Sequence, residues 1–346
     1  MFSQLQFRTA YFIFSLFFWP CTSMADSNQE TRTKVVKKGF LQCGVSQGLP
    51  GFSAPNSKGA WEGIDVDLCR AVAAAVLGKA DKVKFTPLSA KERFTALQSK
   101  EIDLLSRNTT WTLTRDTALG LDFTAVTYYD GQGFMVRKSL GIKSAKELNG
   151  ATVCVNSGTT TELNIEDYFK SNNMKYTLVS FEKTDEVVAA YDNKRCDVYT
   201  TDQSGLYANK IKLKKPDEHM ILPELISKEP LGPVVRQGDD NWADIVRWTH
   251  FVMLDAEEHG ISSKNVDEIR KKSKNPSIER LLGGKKSDMG KLLKLDKDWA
   301  YRIIKQVGNY AEVFEKNLGA GSTLKIDRGI NKLWNQGGLQ YSMPVR

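Results

Sequence analysis

The chain alternates short strand-length apolar runs with helical segments in two separate series, and this alternation narrows the fold more than any other feature. The first series is GFLQCGV from Gly39 to Val45, a helix opening at GIDVD and ending at Gly78, the strand VKFTPL, the helix AKERFTALQSK and the strand EIDLLS. The second follows GQGFMVRK: a short SAKEL helix, then ATVCVN, TTELNIEDYFKSNN, YTLVSF, TDEVVAAYDNKRC, DVYTTD and SGLYANKIK. Strands joined by helices read as parallel sheets with helices packed on them. In the first long helix, Asp65 is placed as an N-cap and Asp67 complements the positive N-terminus. A later apolar helix, NWADIVRWTHFVMLDAEEHG, needs a core to cover it, and the first series supplies one. The chain therefore crosses between two lobes twice, near Gly133 to Lys138 and near Pro230 to Gln237. Two crossings at one place make a hinge. Beyond them, a lysine-rich stretch from 261 to 298 reads as short surface helices, and DWAYRIIKQVGNYAEVFEKNLG as a helical extension.

The N-terminus carries one cation, Arg8, an apolar run from Tyr11 to Trp19 and the small-residue sequence SMA, which together read as a secretory signal peptide over 1–25. The run is too short for a comfortable membrane span. The formal net charge of +8, one unit of which is Arg8, is mild and scattered, so nucleic-acid binding is not expected. Four cysteines lie outside the leader, Cys43, Cys69, Cys154 and Cys196, and an even number in an oxidising compartment suggests disulfides. Of the three possible pairings, proximity favours Cys43 with Cys69 and Cys154 with Cys196; four buried thiols are the alternative. No CxxC occurs, His219, His250 and His259 are isolated, and neither a metal nor a cofactor is expected.

The stretch NTTWTLTRDTALGLDFT, from Asn108 to Thr124, centres on Arg115. A guanidinium fits a carboxylate bidentately, and Thr110, Thr112 and Thr114 offer hydroxyls nearby in the chain. In the second series, Ser157 to Thr161 lies where a strand turns into a helix, so free N–H groups and the hydroxyls of Ser157, Thr159 and Thr160 can meet an anion, or can simply cap the helix. Asp202, at the end of DVYTTD, reads unaided as a helix cap.

GIDVDLCRAVAAAV resembles the signature of the family 3 solute-binding proteins of bacterial ABC importers. With it, CGVSQGLPGFSAP, RNTTWTLTRDTALGLDF, YYDGQGFMVRK, VCVNSGTTTEL, RCDVYTTDQSGL and DWAYRIIKQVGNYAEVFEKN are similar to the family's general L-amino-acid-binding branch. The resemblance implies an α/β fold of two lobes, the type II periplasmic-binding-protein architecture, each lobe a sheet flanked by helices and joined by a two-strand hinge. Lobe 1 would comprise 26–135 and 236–346, with the helical extension at its end, and lobe 2 would comprise 136–235. It implies a periplasmic, monomeric binding protein for L-amino acids, polar and acidic ones included, which it delivers to ABC permease subunits without catalysis. Arg115, assisted by Thr110 and the 157–161 turn, would hold the ligand α-carboxylate and Asp202 the α-ammonium. Leu49 stands where many relatives place a stacking aromatic, and the gap from Arg115 to Phe123 is longer than usual, which affects the register of Trp111 and Thr112 in the site. The same fold also hosts periplasmic dehydratases, so an enzyme is the alternative, and a ligand sensor or adhesive surface protein a third.

Overall fold

The computed structural model describes residues 30–284 and 288–346; the expected signal peptide lies outside the described residues. In chain order the elements are α1 (Thr31–Lys38), β1 (Leu41–Ser46), β2 (Ala54–Pro55), β3 (Trp61–Glu62), α2 (Ile64–Leu77), β4 (Val83–Leu88), α3 (Arg93–Gln98), β5 (Leu104–Thr110), α4 (Leu113–Ala118), β6 (Leu121–Phe123), β7 (Tyr128–Asp130) and β8 (Gln132–Arg137). There follow β9 (Ala151–Asn156), α5 (Thr160–Ser171), β10 (Tyr176–Phe181), α6 (Thr184–Asp192), β11 (Val198–Asp202), α7 (Gln203–Lys210), β12 (His219–Ile221), β13 (Glu229–Arg236), α8 (Asp240–Glu258), α9 (Val266–Lys272), α10 (Pro276–Leu281), α11 (Trp299–Gln306) and α12 (Tyr310–Asn317).

These strands form two main sheets. The first runs β4-β1-β5-β13-β6, with β7 also paired to β13, and the second runs β10-β9-β11-β8-β12. Neither sheet is purely parallel, contrary to the expectation from alternation. The pairs β1–β4, β1–β5, β9–β10 and β9–β11 are parallel, but β13 lies antiparallel to β5, β6 and β7, and β8 antiparallel to β11 and β12. The reason is how those two strands arrive. Both come directly from the other sheet through the hinge, with no crossover helix to return them in the parallel sense.

The crossings also fall earlier in the chain than the glycines suggest. β7 belongs to the first sheet and β8 to the second, so the first crossing is at Gly131; β13 is wholly in the first sheet, so the second crossing precedes Glu229. Gly133, expected at the start of the first crossing, is a strand residue of β8 packed under α7, where an added Cβ would stand 3.3 Å from Leu206 Cδ1. Lobe 2 accordingly begins near 132 and ends near 228.

In the first lobe, α2 packs against β1 and β5 on one side and against α8 and α11 on the other. Its alanines, Ala71, Ala73, Ala74 and Ala75, are fully buried and let the neighbouring backbones approach. Asp65 does not cap this helix: the N-cap is Gly63, at φ +134, where a Cβ would fall 2.0 Å from the Phe52 carbonyl oxygen. Helix α8 covers the sheet through Trp242, Ile245 and Val246, and the Trp242 indole donates to the Asp103 carbonyl at 2.9 Å. The expected single helix over 298–319 is two, α11 and α12. Gly308 breaks it at φ +105, and Asn309 with Glu312 forms a capping box that starts the second.

Cys43 in β1 is joined to Cys69 in α2, and Cys154 in β9 to Cys196 just before β11, so each disulfide staples one lobe internally. Replacing Cys69 by alanine should lower the unfolding free energy by about 3–4 kcal/mol, the chain-entropy value for a loop of this size. Denaturant titration checks this, and an unchanged midpoint would show that the bridge contributes nothing.

Candidate functional site

Four of the eight expected ligand-binding residues meet at the seam between the sheets, where β5 and β11 end and α5 begins. Leaving β5, the chain turns at Thr112, whose hydroxyl accepts from the Arg115 N–H at 3.3 Å and starts the six-residue α4. This short helix folds Arg115 back against the strand end, where Nη1 donates to the Thr110 carbonyl at 3.0 Å. The guanidinium is buried, lies 5.3 Å from the Phe94 ring centroid, and makes no other hydrogen bond and no ion pair among the described residues. Burial lowers its pKa, while the fields of Glu229 and Asp202 act in the opposite direction.

From the other lobe, Asp202 stands at the N-cap position of α7 without capping it; its side chain accepts from Asn108 Nδ2 across the seam at 3.3 Å. Burial, then the neighbouring carboxylates Asp130 and Glu229, push the Asp202 carboxyl well above its usual range, against the pull of Asn108 and Arg93. Thr160, in the first turn of α5, bonds Glu229 Oε2 at 2.9 Å and lies 3.4 Å from the Thr110 hydroxyl. Arg115, Thr110, Thr160 and Asp202 thus belong to one neighbourhood.

The remaining candidates lie differently. The Ser157 N–H and hydroxyl both bond the Phe181 carbonyl, and the Thr159 hydroxyl donates to the Asn156 carbonyl at 2.7 Å, so these side chains serve the turn. Leu49 is buried with the first lobe's core, in a turn closed by bonds to Ser53. Trp111 is stacked on Phe123, with ring centroids 5.6 Å apart, and is 37% exposed.

Three residues that the sequence reading passed over stand in the same seam. Arg93, on α3, is buried and reaches Thr109 Oγ1 at 3.3 Å and, in the other lobe, the Gly158 carbonyl at 3.4 Å; its Nε has no partner. Asn108 adopts a left-handed φ of +32, donates its N–H to Asp65 Oδ2 at 2.9 Å, and leaves its own Oδ1 buried and unpaired. Glu229 is held by Thr160, Asn164 and Ser227. Asp65, displaced from its expected capping role, bonds Ser106 and the Asn108 N–H, and burial pushes its carboxyl up to about 6. Asn is enriched among non-glycine residues at positive φ, which is the one hint that RNTT carries for Asn108; nothing in AKERFTALQ distinguishes Arg93 from a solvated arginine.

The lobes also touch outside these groups. Lys212 Nζ donates to the Gly48 carbonyl at 2.6 Å, and Gly158 approaches the other lobe so closely that a Cβ there would lie 3.2 Å from Lys91 Cα. Among the described residues, no cluster of three or more His, Cys, Asp or Glu is arranged to hold a metal ion, and no helix is long and apolar enough to cross a membrane.

Two sheet-and-helix lobes, joined by a double strand crossing and meeting over a seam of buried charges, define a two-lobe solute-binding protein. The chain belongs to the bacterial extracellular solute-binding proteins, family 3, whose model matches residues 41–320. It is 64% identical over 317 residues to the general L-amino acid-binding periplasmic protein AapJ of Rhizobium johnstonii, covering 91% of this chain and 93% of that one. It is 53% identical over 320 residues to the glutamate/glutamine/aspartate/asparagine-binding protein BztA of Rhodobacter capsulatus, covering 92% and 94%. Among solved structures, a periplasmic binding protein of an ABC transporter from Brucella ovis, with glutathione bound, superposes with a TM-score of 0.90 at 61% identity, covering 92% of this chain and all of that one.

Proposed function

We propose that this protein, exported behind the 1–25 leader and acting as a monomer, captures L-α-amino acids in the periplasm and presents them to the membrane permease of an ABC importer. The observation that carries this reading is the pairing, across the seam, of a buried arginine with donors to spare and a buried carboxylate beside an unpaired amide oxygen. Arg115 with the Thr110 hydroxyl and the α5 N-terminus receives the α-carboxylate. Asp202 and Asn108 Oδ1 receive the α-ammonium. Because these groups come from both lobes, a ligand bridges them, and exclusion of water strengthens each contact.

The second buried cation, Arg93, extends the reading to acidic side chains, because its unpaired Nε suits a second carboxylate. Aspartate, glutamate and their amides are the ligands in the Rhodobacter capsulatus relative's name, and glutathione carries the same free α-ammonium and α-carboxylate on its γ-glutamyl end. No catalytic step belongs to this reading. His219 bonds Tyr191, His250 faces Gln340 in the first lobe, and His259 lies beside Asp255, all away from the seam charges.

Calorimetry with L-glutamate, L-glutamine, L-aspartate, L-asparagine, D-glutamate and glutathione tests the proposal. Several L-amino acids should bind and D-glutamate should not. Arg93→Ala should weaken L-glutamate about tenfold more than L-glutamine, since the pairing of two opposite charges is lost only with the acid. Equal binding of the two enantiomers would overturn the recognition scheme, and chemical turnover of any of these compounds would favour an enzyme.

A further inference from the structure

The last 26 residues, 321–346, follow the part of the chain that the family model matches, and they reach back to the hinge. There the Asn331 side-chain amide makes two bonds to one residue of β7: the Tyr129 N–H donates to Oδ1 at 2.7 Å, and Nδ2 donates to the Tyr129 carbonyl at 3.0 Å. Tyr129 lies opposite Pro230 in the ladder. The Pro230 carbonyl points the other way, to the Trp111 N–H at 2.8 Å, so this is a non-hydrogen-bonded pair of the antiparallel ladder and the Tyr129 N–H and carbonyl face the outer edge of β7. The buried Asn331 amide therefore stands in for a peptide group, a one-residue strand added to the outer edge of β7.

The backbone of this residue is itself held. Arg328 Nε donates to the Asn331 main-chain carbonyl at 3.0 Å, and the Arg328 guanidinium forms a bidentate pair with Glu257 of α8, at 2.6 and 2.7 Å, with both side chains about nine-tenths buried. Farther along the segment, Gln340 Nε2 donates to the Val126 carbonyl at 3.3 Å, just upstream of β7. The strand that leads into the first crossing is thus tied to lobe 1 up to Tyr129, one residue before Asp130 and two before Gly131.

We propose that Asn331 is a positioning residue for lobe closure: the C-terminal segment fixes the pivot at Tyr129, confines hinge rotation to the residues that follow, and so keeps the open state narrow and poised to close. The inference rests on the two-lobe binding reading but not on the ligand class. A looser pivot spreads the free protein over more lobe orientations and lowers the fraction that is competent to bind, which raises the apparent dissociation constant by the reciprocal of that fraction.

The test is Asn331→Ala in the full chain, with spin labels at exposed positions on the two lobes and L-glutamate as the probe. The ligand-free distance distribution should broaden, and the dissociation constant for L-glutamate should rise about three- to tenfold. Asn331→Asp keeps the acceptor for the Tyr129 N–H but loses the donor; it should fall between, and it carries the same measurement if the alanine variant does not fold. A drop in melting temperature with unchanged distances and unchanged affinity would overturn the proposal, leaving Asn331 a purely stabilising residue. If L-glutamate binds neither wild type nor variant, the ligand reading fails while the ligand-free distances still decide the role of Asn331.

Discussion

Replacing Arg115 by alanine should weaken L-glutamate binding by about 2–5 kcal/mol, the range for truncating one partner of a buried, hydrogen-bonded charge pair. The fold should survive, because the guanidinium makes one internal hydrogen bond, to the Thr110 carbonyl, and no ion pair among the described residues. Arg115→Lys should recover little of the loss, since an ammonium lacks the planar fork that meets both carboxylate oxygens. Calorimetry on the folded variant checks this, and an unchanged dissociation constant would remove Arg115 from the site.

Asp202→Asn should cost at least about a hundredfold in affinity, near 3 kcal/mol, because the amide places an uncharged group before the ligand ammonium. The wild-type carboxyl adds a pH dependence. In the free protein its pKa is raised by burial and by Asp130 and Glu229, whereas a bound ammonium favours the ionised form. Binding therefore releases a proton wherever free Asp202 is protonated. Affinity should be flat above the free-state pKa and should fall as the pH drops below it. Calorimetry in buffers of differing ionisation enthalpy reads that proton directly. Asp202→Asn should abolish this part of the release; an identical proton count in wild type and variant would assign the linkage elsewhere.

Much of the architecture was legible because periodicity and punctuation act locally. The units from β1 to β5 and from β9 to α7 follow from apolar runs of strand length separated by helix formers, and a residue does not need to know its partner to satisfy that pattern. Strand direction at the hinge was not legible. Gly133 carries the residue type of a bend but serves close packing under α7, and a sequence does not say which of those a glycine is for. Asn309 and Glu312 spelled out a helix start that the surrounding helical composition masked.

In the site, Arg115 stood out first as a guanidinium among threonines and took its role from the family resemblance, whereas Asp202, which reads unaided as a helix cap, stood out through the resemblance alone. Arg93 and Glu229 did not stand out at all, because each lies far in sequence from the groups it meets: Arg93 reaches Gly158, and Glu229 reaches Thr160 and Asn164. Ser157 shows the converse. Its hydroxyl is suited to an anion by type, but the neighbouring strand β10 takes it through the Phe181 carbonyl. Asn331 belongs to neither group, since a side-chain amide that replaces a peptide group leaves no pattern in the sequence around it.

The placement of β13 bears on the order in which the chain completes its two lobes. β13 lies inside the first sheet, between β5 and β6, yet it is made more than a hundred residues after β5, with the whole second sheet coming between. A chain emerging N-terminus first can complete lobe 2, whose strands β8 to β12 are contiguous, while lobe 1 still presents the bare edge of β5 and the uncovered apolar face that α8 will bury. The first lobe is therefore the last to finish. That order leaves an unpaired strand edge and an apolar face exposed until the chain beyond β12 is available, and this is the interval in which the folding protein is most open to edge-to-edge pairing.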